Sequence, residues 1–236
     1  KLLCVPMVIE ESSVVAASAR SANFWLSRGG FKAQVISTIK TGQVHFIWHG
    51  KTSTLERYFS SIKEELIQET SILTENMQKR GGGMLSLALI DRTADEPGYY
   101  QLYAEFETCD AMGANFINSV LEVIAKTFKD KVSQAGCFSA EEKNVQIIMA
   151  ILSNYTPECL VRASVECPIA DLADNSLGMS AQEFAEKFAQ AIRISKIDVT
   201  RATTHNKGIF NGIDAVVVAT GNDYRAVEAC GGVVHA

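Results

Sequence analysis

The chain has 236 residues, 47% apolar and 21% charged, a balance that supports a buried core and allows one large domain or two ordinary ones. A formal net charge of −5 argues against a nucleic-acid partner, since phosphate binding normally shows as a basic excess or patch. No apolar run approaches the roughly 20 residues needed to span a membrane. The opening Lys1-Leu2-Leu3-Cys4-Val5 faintly resembles a signal peptide. Pro6 and the Glu10-Glu11 pair interrupt it, no cleavage site follows, and no Met begins it, so the chain is expected to start inside a longer protein. Cys4, Cys109, Cys137, Cys159, Cys167 and Cys230 show no C-x-x-C or metal-ligand spacing, which fits reduced thiols in a cytoplasmic protein.

Ser12-Ser13 ahead of Val14-Val15-Ala16-Ala17, with Gly29-Gly30 as terminator, predict a helix with a hydroxyl N-cap. From about residue 42, Val44, Phe46 and Trp48 alternate as a strand. Leu55, Tyr58, Phe59, Ile62 and Leu66 then recur at helical spacing. Gly81-Gly82-Gly83 break the chain before a strand with Leu85, Leu87 and Leu89, and Asp95-Glu96-Pro97-Gly98 reads as a turn. Tyr100, Leu102, Ala104 and Phe106 face one way on a third strand. A helix with Phe116, Ile117, Val120, Leu121, Ile124 and Phe128 on one side follows, then an apolar strand from Val145 to Leu152. The order β-α-β-β-α-β is that of a ferredoxin-like antiparallel sheet with two helices on one face.

Leu160 to Cys167 alternates as a strand. Ser180 and Glu183 form a capping box ahead of a helix through Phe184, Phe188 and Ile192, and residues 208–220 are apolar and rich in Ala and Val. The expected class is α+β. A ferredoxin-like unit over residues 41–155 is inserted into a larger α/β domain made of residues 1–40 and 156–236.

Ordinary cofactor signatures are absent: no G-x-G-x-x-G after a strand, no Walker loop, no H-E-x-x-H and no paired Cys/His cluster. Three clusters remain. Asp110-Ala111-Met112-Gly113-Ala114-Asn115 sits at a strand-to-helix junction, where Asp110 can cap the helix and free N–H groups suit a pyrophosphate. Taken alone it reads better as an ordinary capped helix with a glycine. Thr204-His205-Asn206-Lys207-Gly208-Ile209-Phe210-Asn211-Gly212, dense in Asn and Gly, suits a tight functional backbone, and leads through an apolar stretch to Gly221-Asn222-Asp223. Val5-Pro6-Met7 through Glu10-Glu11-Ser12-Ser13 ends an apolar run on two carboxylates. By itself that is an acidic first turn complementing a helix dipole.

Taken in order, these stretches and Gly221-Asn222-Asp223-Tyr224-Arg225-Ala226-Val227-Glu228-Ala229 resemble hydroxymethylglutaryl-CoA reductase over essentially the whole chain. The Glu-Glu form of the first motif resembles the class II, bacterial-type enzymes. The resemblance implies an NAD(P)-dependent oxidoreductase that interconverts hydroxymethylglutaryl-CoA and mevalonate plus CoA. It implies a homodimer with the active site at the subunit interface and a ferredoxin-like cofactor domain inserted into a larger one. It assigns Glu11 as proton donor, Lys207 as the cation beside the reacting oxygen, and Asp223 as the carboxylate coupled to both.

Substrate contacts carry over to Ser13, Arg201, Asn211 and Asn154, with Arg201 suited to the free carboxylate. Cofactor contacts carry over to Asp110, Met112, Gly113 and Asn115. NADPH or NADH is the expected cofactor. In this family the segment near Thr74 to Arg80 chooses between them; Glu75 with Lys79 and Arg80 tilts the balance to NADPH. His205 is given a structural role, and His45 and His49 none.

The family's catalytic histidine, on a mobile C-terminal segment, lies roughly a hundred residues beyond the position of Asp223, and such a segment closes over the substrate. His235 is too close to Asp223 to replace it. A chain that binds ligands but turns over poorly is therefore the alternative expectation. A second alternative, an RNA-binding sheet, is opposed by Glu105, Glu107 and the acidic balance.

Overall fold

The computed structural model describes residues 4–173 and 178–234. Its elements in order are α1 (Ser12–Leu26), β1 (Lys32–Ile47), α2 (Thr52–Glu69), α3 (Ser71–Gln78), β2 (Gly83–Asp91), β3 (Tyr99–Glu107), α4 (Ala114–Gln134), β4 (Gln146–Leu152) and β5 (Cys159–Ser164). A 3₁₀ turn (Ile169–Leu172), α5 (Ala181–Ser195), α6 (Val199–Ala219) and α7 (Tyr224–Val234) complete the chain. The result is a mixed α/β protein built on an antiparallel sheet of order β2-β3-β1-β4, with β5 also pairing β1. Two compact units share it: residues 37–160, and residues 1–36 together with 161–236. No helix among the described residues is long and apolar enough to cross a membrane.

In the central unit, alternation decides which face of the sheet is covered. Val44 and Phe46 of β1, Trp48 just past its end, and Tyr100, Leu102, Ala104 and Phe106 of β3 are buried, while the residues between them are half-exposed. The apolar stripes of α2 (Leu55, Phe59, Ile62, Leu66) and α4 (Ile117, Val120, Leu121, Ile124, Phe128) join them in one core. Phe46 lies at its centre, 5.0 Å from the ring of Phe128 and 5.7 Å from that of Tyr100. At Gly42 a Cβ would come within 2.6 Å of Leu121 Cδ1, so the missing side chain is what lets α4 approach β1. The polar atoms this core encloses are matched: Trp48 Nε1 donates to Glu142 O (2.5 Å), and Tyr58 Oη to Lys131 O (2.8 Å).

Two expectations change here. Strand β1 begins at Lys32 and not near residue 42, because its first ten residues lack an alternating buried face and carry no periodic signal. A separate short helix, α3, follows α2 across Thr70, whose buried hydroxyl donates to Ile67 O (2.7 Å).

In the second unit, α5 starts on the expected cap, with Ser180 Oγ accepting from Glu183 N at 3.2 Å. Helix α1 does not start on a hydroxyl. Its N-cap is Glu11, and Ser12 and Ser13 lie inside the first turn. The stretch 204–212, read from its Asn and Gly content as a tight non-regular backbone, lies wholly within α6. Asp198 caps that helix through Thr200 N, and 21 residues of continuous hydrogen bonding outweigh two interior glycines costing about 1 kcal/mol each. Ala215 is the sole buried apolar side chain of this unit among the described residues. Phe24, Trp25, Leu172, Phe184 and Phe188 line an open cavity of about 680 Å³.

Phe128→Ala is expected to destabilise the central unit by about 3–5 kcal/mol, the cost of an emptied aromatic site. Ile72→Ala, at a side chain 85% exposed, should stay within about 0.5 kcal/mol. Urea denaturation of both variants checks the contrast.

Candidate active site

Helix α6 sets Lys207 and Asn211 one turn apart on the same face. With its amide nitrogen turned toward the available acceptors, Asn211 donates to Glu10 Oε1 at 2.9 Å and to Lys207 O at 3.2 Å. That bond ties the Glu10-Glu11 segment to α6 and brings the Val5–Ser13 and Thr204–Gly212 clusters together. Glu11 is exposed, and its carbonyl accepts from Val14 N (3.0 Å) and Val15 N (3.2 Å). Ser13 and Arg201 are exposed in the first turns of α1 and α6. Lys207 is exposed, and its ammonium makes no bond or ion pair among the described residues.

Asp223 is engaged locally at the start of α7. Its Oδ1 caps α7, accepting from Arg225 N (3.1 Å) and Ala226 N (3.2 Å), and lies 3.6 Å from Arg225 Nε. No bond joins Glu11, Lys207 and Asp223 to one another among the described residues. His235 lies outside the described residues.

The carboxylate coupling in this unit falls on residues the sequence reading passed over. Asp214, 5% exposed, is pushed up to about 6 by burial first, then by its hydrogen bond with Glu228 and the charges of Glu228 and Glu10. Its Oδ1 has no partner, and neither does the buried Oδ1 of Asn206, whose Nδ2 donates to Gly231 O at 3.4 Å. Gly231 sits on the ring of Phe210, so close that a Cβ there would overlap it, whereas Gly232 faces open space. A lone acid inside the apolar run 208–220 was the available signal for Asp214. Its partners lie on other elements and gave none.

The remaining candidates belong to the central unit. Asn154 is exposed in the turn after β4. Between β3 and α4 the chain turns tightly: Ala111 N donates to Thr108 O (3.0 Å), and Thr108 Oγ1 to Ala111 O (2.7 Å). Asp110 is therefore exposed and does not cap the helix. Gly113 takes the N-cap position at φ 84, and a Cβ there would lie 2.5 Å from Thr108 Cγ2. No side chain caps α4, so its first-turn N–H groups stay open beside the exposed Met112 and Asn115.

Glu107 anchors the start of this turn, accepting from Thr38 Oγ1 (2.5 Å) and Cys109 N (2.7 Å). Those bonds, Thr38 first, hold its carboxyl below the usual carboxylate range. Cys109, at φ 52, donates through Sγ to Arg80 O (3.3 Å), so the residues after α3 lie against the turn. Of the Thr74–Arg80 segment, Thr74 is buried and Lys79 is paired with Glu75 at 2.6 Å. Arg80 is exposed.

The family model for hydroxymethylglutaryl-coenzyme A reductase matches residues 1–235. The chain belongs to that family. Among curated relatives, the reductase of Archaeoglobus fulgidus is 29% identical over 95% of this chain and 48% of its own length. The probable reductase of Borreliella burgdorferi is 30% identical over 97% and 49%. The chain thus spans about half the length of the curated relatives it matches. Among solved structures, the Streptococcus pneumoniae hydroxymethylglutaryl-CoA reductase superposes with a TM-score of 0.79 at 36% identity, over 96% of this chain and 57% of that one. A class II form of that enzyme, bound to NADPH in open conformations, gives the same TM-score and identity over 98% and 58%.

Because Asp214 titrates near 6 when folded and near 4 when unfolded, the folded chain keeps a proton in that window that the unfolded chain has released. The stability that Asp214 contributes is therefore full below about pH 4 and is lost as pH rises through about 6. Asp214→Asn should gain melting temperature relative to the parent at about pH 7 and show a smaller gain at about pH 4. A pH-independent difference between the two melting curves would contradict this.

Proposed function

We propose that the protein interconverts hydroxymethylglutaryl-CoA and mevalonate plus CoA by two hydride transfers with NAD(P)H, in isoprenoid-precursor metabolism. The observation that carries the reading is the Asn211–Glu10 bond, which joins the Glu-Glu segment and the Lys207 helix in one constellation across some 200 residues of sequence. The central unit, with strand order β2-β3-β1-β4 and α2 and α4 on its covered face, is read as the ferredoxin-like cofactor domain inserted into the larger one.

The residues fit a dinucleotide at the start of α4. The open first-turn amides and the helix dipole suit a pyrophosphate, and at Gly113 any Cβ would collide with Thr108. Asp110, Met112, Gly113 and Asn115 would hold the cofactor, which would supply hydride to the thioester carbon and, from a second equivalent, to the aldehyde carbon left once the C–S bond breaks and CoA departs as thiolate. Each addition puts negative charge on the substrate oxygen, and the free ammonium of Lys207 is suited to stabilise it. Glu11, next to the anchored Glu10, delivers the proton. Asp223 biases that proton and orients Lys207, using the carboxylate oxygen that α7 leaves free.

Ser13, Arg201, Asn211 and Asn154 contact the substrate, with Arg201 on its free carboxylate. The working unit is read as a cytoplasmic homodimer with the site at its interface. Support comes from the largely uncovered apolar surface of the second unit, including Val8, Phe188 and Ile197.

The test is hydroxymethylglutaryl-CoA-dependent oxidation of NADPH and NADH, followed by nicotinamide absorbance. Lys207→Ala should lower kcat by about 10²–10³, the range for losing a group that stabilises a developing oxyanion. Turnover that survives this change at the parent rate would remove Lys207 from the mechanism. Arg80→Glu should raise KM for NADPH by about tenfold, the scale of one charge-assisted phosphate contact, and affect NADH less. Equal effects on the two cofactors would reject Arg80 as the 2′-phosphate reader.

A further inference from the structure

We infer that Lys40, a residue of β1 outside all three motif clusters, is a positioning residue for the dinucleotide, holding the Thr108–Gly113 turn in shape and lending it a fixed positive charge. The inference rests on the cofactor reading above and adds a residue to it. Lys40 stands opposite Phe106 in the β1–β3 register, one pair from the end of the ladder, and its half-buried side chain reaches beneath the turn. Its Nζ donates to Thr108 Oγ1 at 2.7 Å and to Ala111 O at 3.3 Å, with Thr38 O at 3.5 Å. The fully buried Thr108 relays the same bond, donating in turn to Ala111 O at 2.7 Å. Lys40 thus fixes the two residues whose spacing sets the path into Gly113.

The surroundings of the ammonium are the second observation. All of its bonded acceptors are neutral oxygens, and Lys40 forms no ion pair among the described residues. The nearby Glu107 forms no ion pair with it, because its two oxygens are taken by Thr38 Oγ1 and Cys109 N, although the Lys40 charge helps hold that carboxyl down. A partly buried cation held without a bonded anion carries a desolvation cost that an anion at the turn would offset. The turn opens onto the uncapped first turn of α4, whose N–H groups also seek an anion. A neutral strut would brace the turn without that cost. The charge, then, is what the site adds.

The experiment is equilibrium binding of NADPH and NADH to the full chain, read by nicotinamide fluorescence at low and high salt, for the parent, Lys40→Met and Lys40→Arg. Lys40→Met should weaken both cofactors about tenfold or more and flatten the salt dependence, since one charge-assisted contact is lost. Lys40→Arg should restore most of the affinity and the slope. Unchanged affinity in Lys40→Met would overturn the inference. So would weakened binding whose salt dependence parallels the parent, since that marks a strut alone. Should Lys40→Met not fold, the parent and Lys40→Arg still decide: binding indifferent to salt in both defeats the charge role. A parent that binds neither nucleotide defeats the cofactor reading and this inference with it.

Discussion

Strand β1 is the constraint on which the rest depends. It is hydrogen-bonded along both edges, to β3 on one side and β4 on the other, and its buried residues Val44 and Phe46, with Trp48 just past its end, sit at the centre of the core. A slip of one residue would turn all three to the opposite face of the sheet, so the register is fixed by burial as much as by hydrogen bonds. The same strand carries Thr38 and Lys40 to the ladder end where β3 gives way to the turn before α4. Core packing therefore sets the position of groups that themselves bury little apolar surface.

Helix α6 does comparable work in the second unit by different means. A loop could bring Lys207 and Asn211 near each other. A helix fixes their spacing and leaves the ammonium uncommitted, while the amide fastens the Glu10 segment. The same helix buries Asp214 against Glu228, an arrangement that is costly to ionise. A unit with a single buried apolar side chain among its described residues thus spends its few enclosed positions on polar groups. Such a distribution belongs to a surface organised around chemistry, with stability drawn from elsewhere.

What the sequence disclosed and what it withheld divide along physical lines. The stripes of α2 and α4, the alternation in β3 and the Ser180 cap are local patterns, and each reappears as an element with the expected buried face or bond. The first half of β1 has no buried face, so no periodicity announced it. Helix α6 was hidden by its own composition: Asn and Gly favour turns locally, and continuous hydrogen bonding overrode that preference. The motif residues Glu11, Lys207 and Gly113 could be named because their motifs, taken in order, resemble one family. Glu10 and Lys40 could not, because what distinguishes them is a neighbour about 70 to 200 positions away in the chain, and Asp214 could not, because its partner Glu228 lies on a different helix.

The adjacent glycines of α7 show how unevenly such a surface tolerates change. At Gly231 the backbone rests on Phe210, and its carbonyl receives the side chain of Asn206, so any larger residue would pry α7 away from the helix that bears Lys207. At Gly232 nothing stands in the way. Identical residues one position apart therefore face opposite evolutionary prospects. The first is closed to drift for as long as an aromatic ring occupies position 210. The second is free to become alanine and gain helical stability, since replacing an unstrained helical glycine mainly reduces the freedom of the unfolded chain.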